Sequence, residues 1–201
     1  MLVVGITGGL STGKSTVAAM LARLGAKVIN ADKIVHEQLR RTGGCYAPIL
    51  RAFGGKIADK NGIDRKKLAA LVFNDRRKLK RLETIVHPKV LAEITKRVKG
   101  YKKEASRGIV VIEVPLLFES GFDRYVDTTI AVTTRRNTQI SRSRKSLNIT
   151  RTEALRRIHA QMPLRDKIRR ADIIIDNSTT KTQTHKQVKA IWQKLTQRAK
   201  K

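Results

Sequence analysis

A single cysteine, Cys45, is present in the 201 residues, so no internal disulfide can form and nothing suggests an oxidising compartment. Aromatic residues make up only 4%, which leaves Val, Ile, Leu and Ala to fill the core and provides no platform for stacking nucleic-acid bases. No apolar run is long enough for a membrane span. The apolar opening lacks a basic leader and stops at Thr7-Gly8-Gly9, too early for a signal segment. A soluble cytoplasmic protein is therefore expected. Internal repeats and low-complexity stretches are absent as well. Acidic residues are scarce, 16 against 44 Lys and Arg, for a formal net charge of +28. Such a field draws in polyanions, either nucleic acid or nucleotides and phosphorylated metabolites, and charge alone does not choose between them.

The charge that is present is unevenly placed. Residues 65–103 carry 14 basic and 3 acidic residues, and residues 135–170 carry 12 and 2. The first thirty residues carry only Lys14, Arg23 and Lys27. In this near-neutral start, Leu2 to Ile6 reads as a buried strand and Ser15 to Leu24 as a helix stopped by Gly25. Lys27 to Ile29 reads as a second strand. A strand, loop, helix and strand in that order favour an α/β fold with a parallel sheet. From Asp32 to about Arg107 the spacing is helical throughout. Pro88 is expected to break the chain between two helices. Strands are expected again at 108–114, 126–132 and 172–176. A capping box at Thr150-Arg151-Thr152-Glu153 opens a helix running to about Gln161, and Pro163 interrupts or restarts the chain. The last helix shows Val188, Ile191, Trp192 and Leu195 on one face, followed by a basic tail expected to fray.

Gly8-Gly9-Leu10-Ser11-Thr12-Gly13-Lys14-Ser15 fits G-x-x-x-x-G-K-[ST], after a strand and at the start of a helix. The glycines let successive N–H groups turn inward, and the helix start adds unpaired donors with a positive dipole end. Lys14 brings a mobile cation to the β- and γ-phosphates of ATP. Ser15 offers a hydroxyl to Mg²⁺, and Thr16 is a further candidate contact. The second strand ends at Asn30-Ala31-Asp32, on the side of the sheet where ligands of such folds sit. Asp32 there reads equally well as a general base for a substrate hydroxyl and as the cap of the helix that follows. Glu113, at the end of the third strand, reads as a metal-holding acid or as the partner of a Lys or Arg.

At this point the sequence resembles the dephospho-CoA kinase family along nearly its whole length. The resemblance is carried by Thr7 to Thr16, Val28 to Asp32, Phe53-Gly54, Gly62 to Arg65 and Leu68. It continues through Leu82-Glu83, Ile85-Val86-His87-Pro88 and Val114-Pro115-Leu116-Leu117-Phe118-Glu119. The final part comprises Gln139, Arg142, Arg157-Ile158, Gln161-Met162-Pro163, Lys167, Ala171-Asp172 and Asp176-Asn177. It implies a P-loop NTPase fold of adenylate-kinase type, with a five-stranded parallel sheet flanked by helices. Within one kinase domain, 1–201, the core would be about 1–31, 108–135 and 171–201. A helical substrate-binding insertion would occupy about 32–107, and a lid about 136–170.

The implied reaction is ATP-dependent phosphorylation of the ribose 3′-hydroxyl of dephospho-CoA, the last step of coenzyme A biosynthesis, with Mg²⁺. Asp32 would be the base, with Lys14 and the lid residue Arg142 also catalytic. Arg65, His87, Pro115 and Leu116 would meet the acceptor. Three positions depart from the usual family pattern. Asn30 stands where an Asp is usual, and Glu113 where many members have Asp. Ser146 stands where a second lid Arg falls, which leaves Arg144 or Lys145 to replace it. The competing readings are another nucleoside or nucleotide kinase on the same fold, and a nucleic-acid-binding P-loop protein suggested by the charge. Non-specific nucleic-acid binding is expected of so basic a chain in any case.

Overall fold

The structure is a computed structural model that describes residues 1–72, 75–104 and 107–200. It divides into two compact units, residues 1–29 with 101–201, and residues 30–100.

The first unit is built on five parallel strands in the order β2-β5-β1-β6-β7. These are β1 (Leu2–Gly8), β2 (Lys27–Asn30), β5 (Ile109–Glu113), β6 (Thr128–Thr133) and β7 (Ile173–Asp176). Every residue of β1 and β5 is buried, as expected of central strands covered on both faces. Val4 and Ile6 are fully enclosed, and burial of each such side chain contributes about 1.5–3 kcal/mol. At the edge, β7 buries Ile175 and leaves Ile174 in solvent. Helices α1 (Lys14–Arg23) and α9 (Lys181–Lys200) supply Val17, Leu21, Val188 and Leu195 to the same core.

Register matters for the site. In the β1–β5 pairing Ile6 faces Glu113, and in the β1–β6 pairing Gly8 faces Val132. The carboxyl ends of three strands thus converge where β1 leaves the sheet.

Three further helices belong to this unit: α6 (Arg136–Leu147), α7 (Arg151–His159) and α8 (Leu164–Arg170). Thr150 caps α7, its hydroxyl accepting from the Glu153 N–H at 3.1 Å, and Pro163 stands at the start of α8. The tail does not fray within the described residues. Helix α9 continues to Lys200, and the Arg198 guanidinium donates to the Asp127 carbonyl and the Thr128 hydroxyl.

The second unit contains α2 (Ala31–Gln38), α3 (Tyr46–Phe53), α4 (Arg65–Val72) and most of α5 (Arg76–Glu104). Two departures from the sequence reading occur here. Pro88 lies inside α5 instead of ending it. Pro88 has no N–H for the carbonyl one turn earlier, at Thr84, and both residues are exposed, so water can serve that carbonyl. Val86, Val90 and Ile94 are buried along one stripe on both sides of the proline and hold the helix together. The unit is also not purely helical. Strands β3 (Ala58–Asp59) and β4 (Gly62–Ile63) form a small antiparallel hairpin. Its turn is an Asx turn, with Asp59 Oδ1 accepting from the N–H groups of Asn61 and Gly62.

Candidate active site

The loop from Gly8 to Gly13 has the backbone of an anion cradle. Gly8 and Gly13 have φ of +152° and +97°, and Ser11 holds φ +54° although it carries a side chain. Helix α1 starts on Gly13 without a side-chain cap and without an acid in its first turn. The positive end of the helix dipole therefore faces the loop without an opposing acid of its own first turn. The Lys14 ammonium bends back over the loop and donates to the carbonyls of Gly9 at 2.8 Å and Gly8 at 3.2 Å. Leu10 lies at the tip, half-buried, and Thr16 is exposed in the first turn of α1.

Side chains from distant parts of the chain hold this loop in shape. Buried Thr12 turns its hydroxyl to the Gly9 carbonyl at 3.1 Å. Asn177, at the end of β7, donates its amide to the Thr12 carbonyl at 2.8 Å and accepts from the Thr184 hydroxyl at 2.9 Å. The packing is tight. A Cβ on Gly13 would come within 2.0 Å of Asn177 Nδ2, and one on Gly9 within 2.5 Å of Gln139 Nε2. Asn177 and Gln139 belong to the motifs that carried the family resemblance, but local sequence gave neither a role. Their contacts span up to 165 positions and leave no periodic trace.

Ser15 and Glu113 meet beside the cradle. The Ser15 hydroxyl donates to Glu113 Oε1 at 2.5 Å, and Glu113 is buried at the end of β5. A hydroxyl and a carboxylate in contact are the hard oxygen donors that suit Mg²⁺, so the residues present fit that ion. The longer Glu, standing where Asp is common, reaches the P-loop serine directly.

Just beyond β5, Thr7 and Lys167 both donate to the Pro115 carbonyl, at 3.1 and 2.6 Å. Leu116 follows, 42% exposed, while Leu117 and Phe118 are buried. Lys167, on α8, is enclosed and also pairs with Glu119 at 2.7 Å. Burial pulls its ammonium below the ordinary lysine value, and Glu119 opposes that shift.

Arg142, on α6, lies on the side of the cradle, its Nη1 3.9 Å from where a Gly13 Cβ would sit. Ser146, one turn later, returns its hydroxyl to the Arg142 carbonyl at 2.8 Å. Arg144 and Lys145 line a separate shallow cleft with Ser141, Asn148 and Ile149. They thus leave α6 on other faces than Arg142.

The acceptor-side candidates of the second unit have their own local order. Asn30, not Asp32, caps α2: its Oδ1 accepts from the Lys33 N–H at 2.9 Å. Asp32 is exposed within the first turn, and the cap reading for it does not hold. Asn caps as well as Asp does, so the exchange at position 30 keeps the helix start intact. Arg65 reaches the ring of His36, one turn after Asp32 on α2, whereas Asp64 accepts from the N–H groups of Lys66 and Lys67 at the start of α4. Burial and Arg65 lower the His36 pKa, and Asp32 acts against them. His36 went unnoticed in the sequence, although its i+4 spacing from Asp32 was the available signal. His87 sits in mid-helix on the exposed face of α5. Cys45 is fully buried, its Sγ 4.0 Å from the Ile85 carbonyl, and burial raises its pKa.

With this geometry in hand, the comparisons with known proteins are specific. The sequence profile of the dephospho-CoA kinase family matches residues 2–183. A dephospho-CoA kinase of Symbiobacterium thermophilum is 44% identical over 96% of this chain and 80% of its own length. That of Geobacillus kaustophilus is 40% identical over 94% of each chain. Among solved structures, a Thermus thermophilus protein superimposes with a TM-score of 0.84 at 31% identity, covering 96% of this chain and 97% of that one. The dephospho-CoA kinase of Campylobacter jejuni gives 0.71 at 29% identity over 97% of both chains. A shikimate kinase from Acinetobacter baumannii, at 16% identity and a TM-score of 0.54, shares the P-loop kinase fold alone. The chain belongs to the dephospho-CoA kinase family.

Proposed function

We propose that this chain transfers the γ-phosphoryl group of ATP to the ribose 3′-hydroxyl of dephospho-CoA, giving CoA and ADP, the last step of coenzyme A biosynthesis. The observation that carries the reading is the family match from residue 2 to residue 183, on a chain whose phosphate cradle is fully shaped. The acceptor oxygen attacks the γ-phosphorus as the bond to the β,γ-bridging oxygen breaks, and the hydroxyl proton passes to Asp32. The donors of Gly8 to Thr16 hold the β- and γ-phosphates. The Lys14 ammonium exchanges its loop carbonyls for phosphate oxygens as negative charge gathers on the leaving group. Mg²⁺, held by Ser15 and Glu113 together with phosphate oxygens, would neutralise charge on the β- and γ-phosphates. Arg142 adds a planar cation on the lid side.

In this reading residues 32–107 hold the acceptor, with Arg65 and His87 as contacts from that region and Pro115 and Leu116 as contacts from the sheet. Residues 136–170 form the lid. Its moving part is α6 and α7, since Lys167 ties α8 to the sheet. Arg142 is its transferring-phosphate cation, and Arg144 and Lys145 are not substitutes for the Arg missing at Ser146. A cytoplasmic setting goes with ATP as the donor. No helix among the described residues is long and apolar enough to cross a membrane. The family match lends no support to a nucleic-acid role, which leaves the +28 charge as a source of weak, salt-sensitive adhesion only.

The test is a substrate panel. Purified protein with Mg-ATP should phosphorylate dephospho-CoA and leave shikimate, gluconate and nucleoside monophosphates essentially untouched. Preferred turnover of one of those others would replace the proposed acceptor.

A further inference from the structure

Among the described residues, the largest fully buried side chain is a lysine, Lys167. An ammonium without water is costly unless its protons are all well placed, so such a residue calls for an explanation. Two of its partners sit within 2.7 Å, the Pro115 carbonyl and Glu119 Oε1. The same Glu119 oxygen accepts from the Met162 N–H at 3.1 Å, just before α8 begins.

The contacts fall around one residue. The Pro115 carbonyl, clamped by Lys167 and by Thr7, fixes the peptide plane from which Leu116 departs. On its other side the Leu116 carbonyl accepts from the Ser120 N–H at 2.9 Å and from the Ser120 hydroxyl at 2.7 Å. Behind it Leu117 and Phe118 are packed away, the latter under the Arg170 guanidinium at 4.6 Å. The backbone around Leu116 is thus pinned on both sides, while the residue itself stays 42% exposed. Rigid support for an apolar side chain in water is what a preformed ligand contact requires and what a core does not.

We propose that Lys167 is a positioning residue for the acceptor. By clamping the Pro115 carbonyl it holds Leu116 out as an apolar contact for dephospho-CoA, and it ties that contact to α8. This rests on the reading that Leu116 meets the acceptor. Lys167 itself touches neither substrate.

Steady-state kinetics of the full chain, with each substrate varied in turn, separates the two ideas. Leu116→Ala should raise KM for dephospho-CoA by about ten-fold, the scale of a lost apolar contact in a pocket, with KM for ATP unchanged. Lys167→Met combined with Glu119→Gln removes the buried cation and the charge of its partner together. It should raise the same KM by a similar factor, and adding Leu116→Ala should bring little more. Asp172→Asn is the control. It loosens the seam between β6 and β7 at Thr129 without touching the Pro115 carbonyl, so it should lower the melting temperature and leave both KM values alone. Where the double variant does not fold, Lys167→Gln retains a donor and should give an intermediate KM.

If Leu116→Ala has no effect, the acceptor contact itself is wrong. Should Leu116→Ala act while the Lys167 variants do not, or the two effects add in full, the positioning role is wrong and the contact stands. A rise in both KM values together, or failure of both Lys167 variants to fold, makes Lys167 a support of the fold only and overturns the inference.

Discussion

At the scale of single residues, the phosphate cradle is the best-determined part of the molecule, and for a physical reason. A backbone that must present N–H groups to an anion needs glycine at fixed places, and that need is local enough to be read directly in Gly8 to Ser15. What holds the cradle was not legible. Asn177 reaches Thr12 across the fold, and only the folded chain brings them together. A prediction follows from their closeness. Gly13→Ala puts a methyl within 2.0 Å of Asn177 Nδ2 at a φ of +97°, so either the loop or the amide must move. ATP affinity, measured by titration calorimetry, should fall by about ten-fold or more, at a strain cost of roughly 1–3 kcal/mol. Unchanged affinity would show that the loop tolerates the displacement. The Asp32 question also turned at this scale. Sequence left base and cap in balance. The cap belongs to Asn30, two residues earlier, a distinction that depends on where the helix begins and so lies within the usual uncertainty of helix ends.

At the scale of elements, strands and helices with a steady apolar pattern were legible, and short or interrupted ones were not. The hairpin at 58–63 has strands of two residues each, too short to show alternation. Pro88 misled because the cost of a proline in mid-helix is outweighed here: the lost bond faces water, and Val86, Val90 and Ile94 are buried on both sides of it. Pro88→Ala should therefore restore the N–H to the Thr84 carbonyl and stabilise the protein by about 1–3 kcal/mol, read as a higher melting temperature. No gain would mean that the proline shapes a bend the unit needs. A second test concerns the seam between β6 and β7. Asp172 Oδ2 accepts from the Thr129 N–H at 2.8 Å and the Thr129 hydroxyl at 2.7 Å, and that hydroxyl accepts in turn from the Asp172 N–H. These bonds from Thr129 hold the Asp172 carboxyl below its ordinary value of 3.8. A lowered folded value means that the stabilisation is complete above the unfolded value and is lost as pH falls through the folded one. Asp172→Asn should thus cost stability at neutral pH and flatten the fall of melting temperature below about pH 4. An unchanged acid limb would assign that fall to other carboxylates.

For the whole molecule, two units with different chemistry emerge. Residues 1–29 and 101–201 carry the parallel sheet, the cradle and the Ser15–Glu113 pair, and residues 30–100 carry Asp32, His36 and Arg65. The proposed roles divide along the same line, the phosphate cradle in the first unit and the base, Asp32, in the second. Net charge was legible only as a magnitude. It speaks to encounter with anionic ligands and, in the motifs, no residue requires 28 excess positives. The central claim is transfer to dephospho-CoA with Asp32 as base, and one comparison tests it most directly: single-turnover formation of CoA by the unaltered chain and by Asp32→Asn, at matched ATP occupancy. The account predicts ready CoA formation by the unaltered chain. In Asp32→Asn it predicts a rate lower by about 10²–10⁴-fold with ATP binding retained. Near-equal rates, or no CoA from the folded, unaltered protein, would contradict it.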